Sequence, residues 1–268
     1  MPSRVPRSPP HGLWKHAPMR RELVAVNTAP DSENTMHGDE AKRYGFTSGL
    51  VPGVDVLAYL AHDGVATWGA SWLGGGRLTG RLAAPVYDGE TIAVETDATE
   101  APDGTLASRV VGADGRERAT ASLFLLDDAA RADARRRAEP AAFAVAPVPE
   151  PADRAPAAAA VLGPGTILGT QRATFHADRA HGYLDEISES DSAFRVDGAA
   201  HPGWLLRFAN WALSRSVRLG PWIHVSSDAW LLAPVHDGDE LEVRAHVTDR
   251  FERKGHEFVD LAVHHRVD

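Results

Sequence analysis

Two stretches of the chain return apolar residues every three or four positions, and each is followed by runs that alternate apolar and polar residues. The first is "VDVLAYLAHDGVATWGASW" (54–72), with Val54, Leu57, Leu60 and Ala61 on one stripe. The second is "WLLRFANWALSRSVRL" (204–219), with Trp204, Leu205, Phe208, Trp211 and Ala212. This spacing predicts helices. Apolar residues off the stripe predict that each helix is buried on most sides. Alternation after the first helix predicts strands in "RLTGRLAAPVY", "ETIAVETDATE", "TLASRVVGADG" and "RERATASLFLLD", punctuated at Asp88-Gly89, Asp103-Gly104 and Asp114-Gly115. After the second helix come "IHVSSDAWLLAPV", "ELEVRAHVTDRF" and "EFVDLAVHHRV", with turns at Asp237-Gly238 and Lys254-Gly255. A buried helix followed by an antiparallel meander predicts an α+β unit whose sheet wraps its helix.

The unit occurs twice. "LAAPVYDGETIAVE" and "LLAPVHDGDELEVR" match at Leu82/Leu231, Pro85/Pro234, Val86/Val235, Asp88/Asp237 and Gly89/Gly238, pairs 149 residues apart. Upstream, Pro52-Gly53 is echoed by Pro202-Gly203, 150 residues apart. Two anchors in one order at nearly one separation indicate an internal duplication. The organisation predicted is a flexible tail over 1–18, a first repeat over 19–126, an Ala/Pro-rich linker over 127–163 and a second repeat over 164–268. The prolines of the linker bar it from a packed sheet.

Composition narrows the function classes. At 268 residues and 43% apolar, the chain can bury substantial cores. A net charge of −9 and a pI near 5.8 argue against nucleic acid or anionic membrane as partners. With no cysteine, disulfides, thiol nucleophiles and Cys-ligated zinc are excluded. The N-terminal "MPSRVPRSPPHGLWKHAP" lacks the apolar stretch of a signal peptide, and no run reaches the roughly 18 apolar residues of a membrane span. A cytoplasmic protein is expected.

Candidate chemistry concentrates in "PDSENTMHGDEAKRYGFTSGLVPG" (30–53). Pro52 suits the entry of a helix, and Gly53 lets another atom approach its backbone. Unsatisfied N–H groups there, added to the helix dipole, favour negative charge on a nearby oxygen. His37, fifteen residues upstream, can pass a proton near neutral pH. Asp31 and Glu33 read either as acids of the same site or as turn and cap residues, and Asn34 as a brace for the loop. "HADRAH" (176–181) has helix-face spacing without a third ligand, so no metal site is expected. "GGGRLTG" (74–80) lacks a dinucleotide-binding spacing, and "RRR" (135–137) reads as a solvated linker face.

This stretch resembles the MaoC-like acyl dehydratases, which include the (R)-specific enoyl-CoA hydratases. Their signature runs roughly Gly-Asp-x-Asn-Pro-[Ile/Leu]-His, then an acidic stretch, Ala, Gly-Phe, and a helix opening on small residues. Asn34 and His37 match its Asn and His; Ala41, "YGF" (44–46) and "LVPGV" (50–54) follow in order. The resemblance implies a double hot-dog fold and no cofactor. It implies hydration or dehydration of an enoyl or 3-hydroxyacyl thioester carried by CoA or a carrier protein. It makes His37 the proton-transfer group and Gly53 and Val54 the oxyanion-binding amides, with Asn34 and Ser32 on the substrate loop. Where the family carries its catalytic Asp this chain has Ser32, flanked by Asp31 and Glu33 as the available acids. In the second repeat "YLDEISESDSAF" puts Glu189, Asp191 and Phe194 at the Asp, Asn and His positions, so that half is expected to be degenerate and to shape the acyl pocket.

Two other readings stay open. A hot-dog thioesterase would use Asp55, two positions into the helix, to activate water. A non-catalytic acyl-thioester-binding protein would fit the missing Asp. Because a double hot-dog pairs its repeats internally, monomer and homodimer are both compatible with the sequence.

Overall fold

The computed structural model describes residues 19–97, 104–138 and 143–267. The tail expected over 1–18 lies outside them, as do the end of the strand expected through Glu100 and the turn residue Asp103. The first repeat opens with β1 (Met19–Val24), a strand the alternation analysis does not pick out. Two 3₁₀ turns (Thr35–His37 and Asp39–Tyr44) lead to α1 (Gly53–Trp68) and α2 (Ala70–Leu73). Then come β2 (Gly76–Leu82), β3 (Thr91–Asp97), β4 (Thr105–Gly112) and β5 (Glu117–Leu125). The linker carries α3 (Asp128–Arg137). The second repeat comprises β6 (Gln171–Thr174), α4 (Ala177–Glu186), α5 (Ser192–Arg195), α6 (Pro202–Ser214), β7 (Ser226–Leu231), β8 (Glu240–Arg253) and β9 (His256–Val267).

One antiparallel sheet has the order β1-β3-β4-β5-β2-β7, and a second has the order β6-β8-β9. Backbone hydrogen bonds establish the duplication independently of sequence. The Ala25 N–H donates to the Glu90 carbonyl and the Gly89 N–H to the Ala25 carbonyl; Phe175 stands in the same relation to Asp239 and Gly238. In both copies the turn aspartate, Asp88 or Asp237, accepts a backbone N–H from the segment after the first strand. Gly89 and Gly238 take positive φ, 74° and 87°, in the turns predicted from Asp-Gly.

The helix expected through Trp72 breaks at Gly69, whose φ of 62° ends α1 and starts α2. α1 matches the expectation of burial: every residue from Val54 to Ala61 is buried. α6 does not, with only Pro202, Gly203, Phe208 and Ala212 buried. The reason is strand allocation. β7 joins the first sheet by pairing with β2, Gly76 opposite Leu231 and Arg81 opposite Ser226, which leaves β6, β8 and β9 to cover α6. Among the described residues no helix is long and apolar enough to cross a membrane.

The two central helices meet through a buried charge. The fully buried Asp55 carboxylate on α1 accepts the Thr28 hydroxyl at 2.5 Å, the Tyr183 hydroxyl at 3.2 Å and the Arg207 guanidinium at 3.3 Å. That guanidinium lies 4.0 Å over the Tyr183 ring. Burial, and then the Asp55 charge, push the Tyr183 phenol well above its ordinary value. Removing one partner strands the other in a dry interior. Arg207→Met is therefore expected to lower stability by about 3 kcal/mol in urea unfolding, and adding Asp55→Asn to recover part of the loss.

Candidate active site

The two helix starts differ by one residue. In each copy a backbone bond fixes the chain just before the central helix: the Val51 N–H donates to Val86, the Ala200 N–H to Val235. One residue then precedes Gly53, but two precede Gly203, and the added one is His201. This accounts for the separations of 149 and 150. His201 is buried and caps its own helix, its Nδ1 accepting the Gly203 N–H at 3.0 Å. A Cβ on Gly203 would also strike Ala58 and the Tyr183 hydroxyl, so that helix start is sealed. α1 is instead preceded at its cap position by Pro52, which offers no side-chain cap. Among the described residues the N–H groups of Gly53 and Val54 meet no acceptor.

The preceding loop brings an imidazole to this end of α1. Asn34 caps the first 3₁₀ turn by accepting the Met36 N–H, and the turn delivers His37. The Asn27 carboxamide holds the His37 carbonyl at 2.7 Å. His37 Nδ1 lies 2.7 Å from the Leu50 carbonyl, which can only accept, so Nδ1 carries the hydrogen and Nε2 the lone pair. Nε2 receives the Asn34 amide at 3.2 Å, and the same amide reaches the Trp222 carbonyl at 3.1 Å. Burial depresses the His37 pKa, against the opposing pull of the Leu50 carbonyl and the Asp55 charge. The ring is a neutral base at pH 7.

His37 and Gly53 open on one cavity of about 260 Å³. Met36, Leu50, Val56, Leu82 and Val86 make its apolar wall; Asn34, His37, Asn210 and His224 are polar. Gly53 is required by proximity, because a Cβ there would strike Leu82 and come within 2.9 Å of the His224 Cβ. Val54 is buried behind the lining.

Asp31, Ser32 and Glu33, placed in the site by the family resemblance, are exposed and do not line the cavity. Glu33 pairs with Arg154 at 2.7 Å, and the Ser32 hydroxyl turns to the Asn34 carbonyl at 3.4 Å. The physical cause is the cap: Asn34 starts the inward turn, so the residues before it stay on the outer side. Asp55, the acid of the thioesterase reading, is spent on Thr28, Tyr183 and Arg207. The resemblance implied that the second repeat shapes the pocket, but nothing in the sequence marks Asn210, Trp222 and His224 as the residues that do so.

The second repeat preserves the loop and loses the site. Asp191 caps the Ala193 N–H as Asn34 caps Met36. Phe194, in place of His37, is buried with its ring 4.5 Å from that of His201. Glu189, in place of Ser32, is buried and takes His62 Nδ1 at 2.9 Å and the N–H groups of Ser190 and Asp191. Burial raises its pKa, but the neighbouring His201 and His62 rings outweigh it and hold the carboxylate ionised. "HADRAH" does find oxygen neighbours: His176, Asp178 and Asp237 converge within 4.8 Å at the surface. Asp237 there caps the Ala177 N–H and Asp178 accepts the Arg179 N–H, an ordinary helix-start arrangement.

No protein-family model matches the sequence, and no curated protein is significantly similar to it. Solved structures are similar in fold. A Chloroflexus aurantiacus J-10-fl protein described as a MaoC domain protein dehydratase superposes with a TM-score of 0.61 at 10% identity, over 94% of this chain and 87% of that one. A conserved Mycobacterium tuberculosis protein described as having a double hot-dog fold gives 0.54 at 13% identity, over 94% and 90%. A MaoC-like dehydratase gives 0.52 at 13% identity, over 94% and 98%. The chain has the double hot-dog fold of these proteins, as the sequence resemblance implied.

Nitrogen-detected NMR of the histidine rings checks the tautomer. His37 is expected to hold its proton on Nδ1 at pH 7 and to titrate below the ordinary value near 6.5.

Proposed function

We propose that the chain hydrates 2-enoyl thioesters, or dehydrates 3-hydroxyacyl thioesters, with His37 as the proton-transfer group and the Gly53 and Val54 amides as the oxyanion site. The supporting observation is the convergence of a neutral imidazole and an uncapped helix start on one apolar cavity. In hydration, the Asn34 amide gives up its bond to His37 Nε2 in favour of a water, and Nε2 takes a proton from that water as the water oxygen bonds to C3. Electron density moves to the thioester oxygen, where donors at a helix start stabilise it. The imidazolium then returns its proton to C2. One base thus takes and gives the same proton, so the chemistry balances without a carboxylate beside the ring. Asn34 orients the ring instead of reacting. The thioester is carried by CoA or a carrier protein. Similarity of fold to proteins described as dehydratases agrees with this reading.

Purified protein is expected to consume crotonyl-CoA, and His37→Ala to lower kcat/KM by at least about a hundredfold. No turnover, or turnover indifferent to the substitution, overturns the proposal. Because the base must be unprotonated and its pKa is depressed, kcat/KM should hold level from pH 7 through the ordinary histidine range and fall only at lower pH. Gly53→Ala should abolish turnover while leaving the fold intact by circular dichroism, since the new methyl meets Leu82 and His224 at the amides.

A further inference from the structure

The His37 cavity contains more polar chemistry than the reaction above uses. Asn34 spends its amide on His37 and Trp222. His37 spends Nδ1 on Leu50. His224 places Nε2 2.9 Å from both the Ser226 carbonyl and the Ser227 hydroxyl, while its Nδ1, without a hydrogen-bond partner, is closed off from solvent. Asn210 is different. It is part-buried on α6 and lines the cavity, and among the described residues its carboxamide has no hydrogen-bond partner.

Its position is not accidental to the helix. Gly203, Arg207, Asn210 and Ser214 recur at spacings that put them on one face. Arg207 on that face is engaged with Asp55 and Thr28 of the first repeat. Asn210 lies one turn further on. Asparagine is a weak helix former because its side chain competes for nearby backbone groups, and this one makes no such bond. Its carboxamide is not closed off from the cavity, so a ligand that enters can reach it.

We propose that Asn210 is a ligand-binding residue, whose carboxamide recognises a hydroxyl group on the acyl chain. The inference rests on the thioester reading of the cavity and adds its specificity. The thioester oxygen is served by the α1 amides, and methylenes offer nothing to an amide. A hydroxyl both donates and accepts, as a carboxamide does. The cavity is thereby suited to hydroxyacyl chains over saturated ones, with the recognising group supplied by the repeat that lacks its own site. Polar sites of this kind reject analogues without the matching group, because their own polar atoms are then left unpaired.

Calorimetric titration of the intact chain with 3-hydroxybutyryl-CoA and with butyryl-CoA tests this. The wild type should bind the hydroxylated probe about tenfold more tightly. Asn210→Leu should bring that ratio close to one while leaving butyryl-CoA affinity within about twofold, and Asn210→Ala should do the same if the leucine variant misfolds. A wild type that does not discriminate, or variants that discriminate undiminished, overturn the proposal. Discrimination lost in the variants, in a protein that never turns over crotonyl-CoA, supports Asn210 and defeats the hydration reading. Turnover with undiminished discrimination does the reverse.

Discussion

Antiparallel pairing between β2 and β7 is the constraint on which the rest of the molecule depends. These strands belong to different repeats, so their hydrogen bonds fuse two duplicated units into one body. The pairing continues past the strands, where the Leu82 N–H donates to the Val225 carbonyl and presses residues 222–225 against the first repeat. That segment forms one wall of the cavity, and its Trp222 carbonyl takes an amide hydrogen from Asn34 on the opposite side. The site is therefore a product of the fusion. Its imidazole, His37, comes from one repeat and part of its lining from the other.

Within that body, the repeats have diverged at the place where a helix start can bind an anion. A capped helix has nothing to offer a ligand, because its N–H groups are already satisfied; an uncapped one does. The added His201 caps and seals α6, while Pro52 leaves α1 open. The loops before the helices diverge in the complementary sense: His37 becomes Phe194, and Ser32 becomes a buried Glu189 locked by His62. The second repeat has turned its polar residues inward to hold the structure, and the first keeps its imidazole facing a cavity. Buried charge serves cohesion in the same way at Asp55, which a first-turn position on α1 would otherwise make a candidate acid.

Much of this was legible in the sequence. Apolar spacing located both central helices, alternation and Asp-Gly turns located seven of the strands, and the repeated Pro-Val-x-Asp-Gly established the duplication, because these patterns arise from contacts within one unit. The short edge strands β1 and β6 were missed, since few residues and exposed edges leave little alternation. The Asn34–His37 spacing was informative for a related reason: a cap and the residue three positions on are fixed by one turn of backbone.

What tertiary structure alone decided is where acids and walls go. Asp31 and Glu33 stand close to His37 in sequence, yet the turn begun by Asn34 keeps them outside. Asn210 and His224 stand far from it, yet the β2–β7 pairing and the packing of α6 on α1 bring them in. Local pattern fixes the elements and their faces, because neighbouring residues share one backbone geometry. Which faces meet is set by burial and strand pairing across the whole chain, which no short stretch encodes.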